Sequence, residues 1–297
     1  MKIINNRKIF YTISLVLVVL SLIAIAVWGL KPSIDFTGGT LLEVSYTGAR
    51  PDQATVSSLV AAIDSKASVR PIGEDGYVVR MKEVDQAGKA EVMNALSLGG
   101  TATTTEKTFS SIGPVLGSEA VKKSLVSIFL VLLGIVLYVT FAFRKVSEPV
   151  KSWKYGLIAI VALLHDVIIP AGVFAVLGHF IGYEVDTLFV TALLVILGFS
   201  VHDTIVVFDR VRENLRHHLG RKPFNEIVGM SISQTFTRSI NTSMTTLIAL
   251  IVLYILGGSA TEHFSLALII GIAAGTYSSI FIGSPLLVTI EKWGKKK

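Results

Sequence analysis

The chain has 297 residues, 52% of them hydrophobic and 16% charged, with a formal net charge of +6 and a mean hydropathy of +0.66. A soluble domain carries about 25% charge, so this composition points to lipid. The basic excess sits beside apolar runs, which reads as membrane topology and not as a nucleic-acid surface. There is no cysteine, which excludes disulfides, thiolate metal sites and a cysteine nucleophile.

In chain order, Lys2, Arg7 and Lys8 precede a first apolar run, Ile9–Leu30, long enough to cross about 30 Å of hydrocarbon. Ala24-Ile25-Ala26 resembles a signal-peptidase site, but the run is longer than a typical h-region and is read as a span. A polar segment follows, Lys31–Lys123. Within it Thr40–Thr47 alternates as a half-buried strand does. Pro51 is expected to open a helix running to about Ala67, with Val56, Leu59, Val60 and Ile63 on one face. Val69–Ile72 and Tyr77–Met81 read as strands around a Gly73-Glu-Asp-Gly76 turn. Gln86–Leu96 reads as a helix and the threonine-rich Thr101–Phe109 as a last strand. The order βαββαβ is the ferredoxin-like, split-βαβ pattern, and about ninety residues suffice for a modest core. The segment has no histidine, so a binding or mechanical role is expected of it, not catalysis.

Five more apolar runs follow, Leu125–Phe143, Tyr155–Leu177, Leu188–Phe208, Ile240–Leu256 and Leu266–Ile290. The expected organisation is a tail and first span at 1–30, an α+β domain at 31–123, the five remaining helices of an all-α membrane bundle at 124–290, and a basic tail at 291–297. Arg144, Lys145, Lys151 and Lys154 lie between spans two and three; Arg210, Arg212, Arg216, Arg221 and Lys222 lie between four and five; Lys292 and Lys295 to Lys297 end the chain. The alternate links carry only the acids Glu184 and Asp186, or Glu262. The positive-inside rule therefore puts both termini in the cytoplasm and the 31–123 domain outside.

Polar residues inside the spans point to function, because an ionised carboxylate at mid-membrane costs about 2.5–3.5 kcal/mol on insertion scales. Asp203 lies five residues before Phe208, the end of span four, and shares a helix face with Ser200 and Thr204. His202 points away from that face. In span five Thr235, Ser239, Thr242 and Thr246 make a polar stripe next to Arg238, which in lipid must face protein or water. Asp203 and Arg238 enter from the same side at similar depth and are expected to pair. Span three adds His165 and Asp166, and Gly271 with Gly275 in span six reads as close helix packing. Asp209 and Arg210 read as interfacial. Two membrane carboxylates, Asp166 and Asp203, also raise an intramembrane aspartyl hydrolase, but Arg238 beside one of them disfavours a shared proton.

Five motifs together carry a resemblance. Asp35-Phe36-Thr37-Gly38-Gly39, Ile112-Gly113-Pro114-Val-Leu-Gly117, Leu164-His165-Asp166, the Gly198 to Asn214 stretch around Asp203-Thr204, and Arg238-Ser-Ile-Asn241-Thr242-Ser243 are similar to those of the SecF family, over essentially the whole chain. The resemblance implies an RND-type bundle whose other half comes from SecD. It further implies a bacterial or other prokaryotic cytoplasmic-membrane location, and proton-motive force used to help a preprotein outward beyond the SecYEG channel. It implies no enzyme activity, cofactor, metal or nucleic acid. In that family the aspartate before the threonine and the arginine before the Ser-Ile-Asn-Thr run are implicated in proton passage. These are Asp203 and Arg238 here, with His202, Asp166 and His165 grouped as further relay candidates. The family commonly has Asn where this chain has His202, a titratable group that either tunes the relay or donates a hydrogen bond as Asn would, the second reading being favoured. A lipid or drug exporter of the same superfamily is the alternative, disfavoured by the small outer domain.

Overall fold

The computed structural model describes residues 2–144, 150–218 and 221–295; Lys145, Lys296 and Lys297, used above for topology, lie outside the described residues. The chain divides into two compact units, one of residues 1–31 with 126–297 and one of residues 32–125.

In the smaller unit a short helix α3 (Ile34–Thr37) leads into β1 (Gly39–Tyr46), α4 (Gln53–Ile63), β2 (Ser68–Ile72), β3 (Gly76–Met81), α5 (Gln86–Leu96) and β4 (Thr104–Ile112). The strands form one antiparallel sheet in the order β2-β3-β1-β4. Its core joins Leu42, Val44, Tyr46, Tyr77, Val79 and Met81 of the sheet to Val56 and Val60 of α4 and Val92 and Leu96 of α5. Three local expectations are corrected. Asp52, not Pro51, starts α4, because its carboxylate accepts from the Ala54 and Thr55 amides. The helix stops at Ile63, where Asp64 turns its side chain back to the amides of Lys66 and Lys82 at 3.0 and 2.8 Å; Leu59, off the Val56–Val60 line, is 37% exposed. The last strand starts at Thr104 because the chain first turns through Leu98, Gly99 and Gly100, all at positive φ.

Both ends of this unit meet at one joint. Gly39 pairs with Ile112 across β1 and β4. A Cβ on Gly38 would stand 2.7 Å from the Cα of Pro114, one on Gly39 2.7 Å from the Met81 carbonyl, and one on Gly117 2.8 Å from the Gly38 nitrogen. Gly38 and Gly39 also hold φ of +73° and +113°, conformations that favour glycine. The two glycine motifs of the sequence are thus one close-packed junction.

The larger unit holds α1 (Lys2–Asn5), α2 (Arg7–Trp28), most of α6 (Pro114–Ala142), α7 (Ser152–Phe180), α8 (Thr187–His218), α9 (Phe224–Leu256) and α10 (Ser259–Ser278); α10 runs through a π-helical turn, Ser279–Gly283, into α11 (Ser284–Lys295). Among the described residues six helices are long and apolar enough to cross a membrane, so this is a multi-pass membrane protein. Hydropathy set the apolar parts but not the ends: α6, α8 and α9 extend well past them in polar sequence. The centre is made by α7, α8 and the sixth span, while α2, α6 and α9 turn most of their apolar side chains outward. Small residues allow the close crossings, Gly172 against Ser21, Gly271 against Ile196 and Gly275 against Ser200.

Candidate functional site

Asp203 sits midway along α8, on its buried face with Ser200, Thr204 and Val207, only 4% exposed. Its Oδ2 has no hydrogen-bond partner, and neither has the Thr204 hydroxyl. Ser239 of α9, fully buried, turns its hydroxyl toward the same carboxylate without reaching hydrogen-bond geometry. Buried polar atoms are ordinarily satisfied; Tyr155 Oη and His165 Nε2 are unpaired as well, so what distinguishes Asp203 is that its unpaired oxygen belongs to a carboxylate.

The expected Asp203–Arg238 pair does not form. Among the described residues the two make no ion pair, and Arg238 and His202 are both exposed. The reason is helical phase: Ser239, one residue on, takes the inward position. The buried stripe of α9 is accordingly Thr235, Ser239 and Ser243, with Thr246 turned back to the Thr242 carbonyl. Thr237, Arg238, Asn241 and Thr245 form an exposed polar strip. At the far end of α8, Asp209 pairs with Arg212, and Arg210 with Glu213 at 2.7 Å.

Asp166 is the opposite case. It is fully buried and accepts from Ser200 of α8, from Ser278 of α10 at 2.8 Å and, on its other oxygen, pairs with His165 Nδ1 at 2.8 Å. One carboxylate thus clasps three helices, and Gly275 lets α10 come close enough to do so. His165 leans on Tyr277, ring centroids 6.1 Å apart, whose hydroxyl donates to the Phe10 carbonyl of α2. The structure therefore places Asp166 and His165 together, and Asp203 apart from both.

A family model for the C-terminal part of SecD/SecF protein export membrane proteins matches residues 93–293, and one for the SecD/SecF GG motif matches residues 23–49, which hold Gly38 and Gly39. This chain belongs to the SecD/SecF family. Protein translocase subunit SecF of Thermobaculum terrenum is 43% identical over 97% of this chain and 93% of its own length. That of Anaerolinea thermophila is 37% identical over 98% and 94%. The crystal structure of SecDF from Thermus thermophilus, a translocon-associated membrane protein, superposes with a TM-score of 0.84 at 30% identity over 98% of this chain. This chain spans only 39% of that SecDF chain.

Within this SecD/SecF chain, sequence reasoning missed Ser278, Ser239 as the group facing Asp203, and the Ser243–Thr276 hydroxyl pair at 2.5 Å. Serines in an apolar run beside Gly271 and Gly275 were the available signal. They are small enough to pass as packing residues, so their hydrogen bonds show only when the helices are in place.

Proposed function

We propose that the chain is the SecF-type half of a SecDF-type complex in the cytoplasmic membrane of a prokaryote, using proton-motive force to promote Sec-dependent protein translocation. The carrying observation is the buried Asp203 carboxylate with an unpaired oxygen, beside an unpaired Ser239 and an outward Arg238. Taking up a proton there neutralises the carboxylate and changes its attraction to Arg238 and its desolvation together. One elementary charge moved through 100 mV contributes about 2.3 kcal/mol, enough to bias two helix packings. His202 lies at the mouth of this relay; Asp166 and His165 act as the supporting clasp behind it.

The exposed strip Thr237, Arg238, Asn241 and Thr245 needs a polar covering in hydrocarbon, which supports SecD as the partner bundle. SecYEG and the emerging preprotein follow as further partners, and the role is transport, not catalysis. Both termini are assigned to the cytoplasm. The 32–125 unit, with its βαββαβ order, is assigned outside as a ferredoxin-like domain acting on the preprotein through the glycine joint. The test is export into inverted vesicles containing SecD and SecYEG. Asp203→Asn and Arg238→Met should assemble with SecD yet lose the gradient-dependent part of export; wild-type stimulation by an assembled Asp203→Asn complex would overturn the relay.

A further inference from the structure

A second cluster of titratable groups lies at the opposite end of the bundle from the α8–α9 link. Helix α7 ends at Phe180, and Ile181 and Gly182 (φ +81°) turn the chain into a short link before α8. Tyr183 in this link lies against His263 of α10, ring centroids 4.1 Å apart at 36°, and donates its hydroxyl to Glu262 Oε1. Phe174 lies against both rings, edge-on to His263 at 6.3 Å and 6.2 Å from Tyr183. One residue on, Glu184 stands 3.3 Å from the Lys31 ammonium, and the Val185 amide donates to the Lys31 carbonyl at 2.9 Å. Gly178 makes room for this, since a Cβ there would stand 3.0 Å from the Tyr183 carbonyl and 3.5 Å from Lys31 Cβ. Asp186 then caps α8 through the Phe189 amide at 2.7 Å. The link is therefore a strap fixed to α10 at Tyr183 and to Lys31 at Glu184 and Val185. Lys31 is the last residue before the outer unit begins at Pro32.

The titratable groups at this end are Lys31, His179 of α7, Tyr183, Glu184 and Asp186 of the strap, Tyr254 of α9, and Glu262 and His263 of α10. His179 stacks on Trp28 instead, at 5.3 Å. Burial, with the Glu262 and Tyr254 oxygens beside it, pushes the Tyr183 phenol above its ordinary value, so it stays a donor. His263 is the group here that ordinarily titrates near pH 6.5. Its ring lies against the Tyr183 ring, and Tyr183 is bonded to the adjacent Glu262 carboxylate.

We propose that Tyr183, Glu262 and His263 form a proton-binding site on the outer face, and that the strap 182–186 carries its state to Lys31, at the root of the outer domain. Only the word "outer" rests on the topology proposed above. Protonation tightens the Tyr183–His263 contact and, through the strap, the Val185–Lys31 bond.

Hydrogen exchange on the full chain in lipid nanodiscs, with no gradient and no preprotein, tests this independently of whether Asp203 carries protons. At about pH 5.5 against about pH 8, either side of the ordinary histidine value, the protection factor of the Val185 amide should rise about tenfold, the effect of a one-unit displacement of a coupled pKa. His263→Phe keeps the ring stack but takes no proton, and should hold protection constant across that range; Glu184→Gln should lower it at both pH values. A pH-independent Val185 amide in the wild type, or an unchanged ratio in His263→Phe, overturns the proposal. If His263→Phe does not fold, the wild-type NMR titration decides: His263 and the Val185 amide must share one inflection, and separate inflections overturn the coupling.

Discussion

The two buried aspartates should respond in opposite ways to neutral substitution. Asp166→Ala removes the acceptor of hydrogen bonds from Ser200, Ser278 and His165. Side-chain hydrogen bonds between membrane helices average about 0.6 kcal/mol and reach about 1.7, so three amount to about 2–5 kcal/mol. Ser278 also donates to the Gly275 carbonyl at 3.1 Å and keeps that bond, which brings the expected loss to about 1–3 kcal/mol. Asp203→Asn, by contrast, gives up no hydrogen bond at Oδ2 and removes a charge that costs about 2.5–3.5 kcal/mol at mid-membrane; it should leave stability unchanged or raise it. Unfolding of the purified chain in SDS, followed by the fluorescence of its three tryptophans, measures both. Equal losses, or a less stable Asp203→Asn, would refute the hydrogen-bond accounting that separates clasp from relay.

The glycine joint predicts that Gly39→Ala destabilises the smaller unit by about 1–3 kcal/mol, the cost of a strained backbone position, with the Met81 carbonyl in the way; limited proteolysis of that unit reports it. Asp64 is held below the ordinary carboxylate range by the amides of Lys82 and Lys66. Its folded value lies below its unfolded one, so its stabilisation is complete above about pH 4 and fades as pH falls through the folded value. Asp64→Ala should lower the thermal midpoint of the unit at neutral pH and flatten its acid dependence, seen by circular dichroism of the full chain. Arg238→Lys, which keeps the charge on an exposed position, should retain part of the gradient-dependent export that Arg238→Met loses.

The spans were legible because lipid imposes a long apolar run on each; α5 was placed at its observed bounds, while the Asp85 cap on the Gly88 amide that fixes its start came only from the structure. The polar starts of α6 at Pro114 and α9 at Phe224 carry no hydropathy signal, so they were placed too late. Asp203, Asp166 and His165 stood out as costly groups in lipid. Their partners did not, because Ser200 and Ser278 lie 34 and 112 residues from Asp166 and no local pattern links such positions. Arg238 shows the limit most clearly: depth alone suggested a pair, while a single step of helical phase gave the inward place to Ser239.

The π-helical turn Ser279–Gly283 has a consequence for everything that follows it in the sixth span. One extra residue in a turn advances the helix by about 100° relative to an unbroken α-helix. Before the turn, Gly271, Gly275 and Ser278 face α8 and Asp166; after it, Leu287, Val288 and Glu291 are the buried positions. Without that offset these three would rotate toward lipid, and a carboxylate would go with them. The span is thus two α-helices written in different phases. A one-residue deletion between 279 and 283 should do far more harm than its length suggests, while a compensating insertion a turn later should restore the inward face of α11.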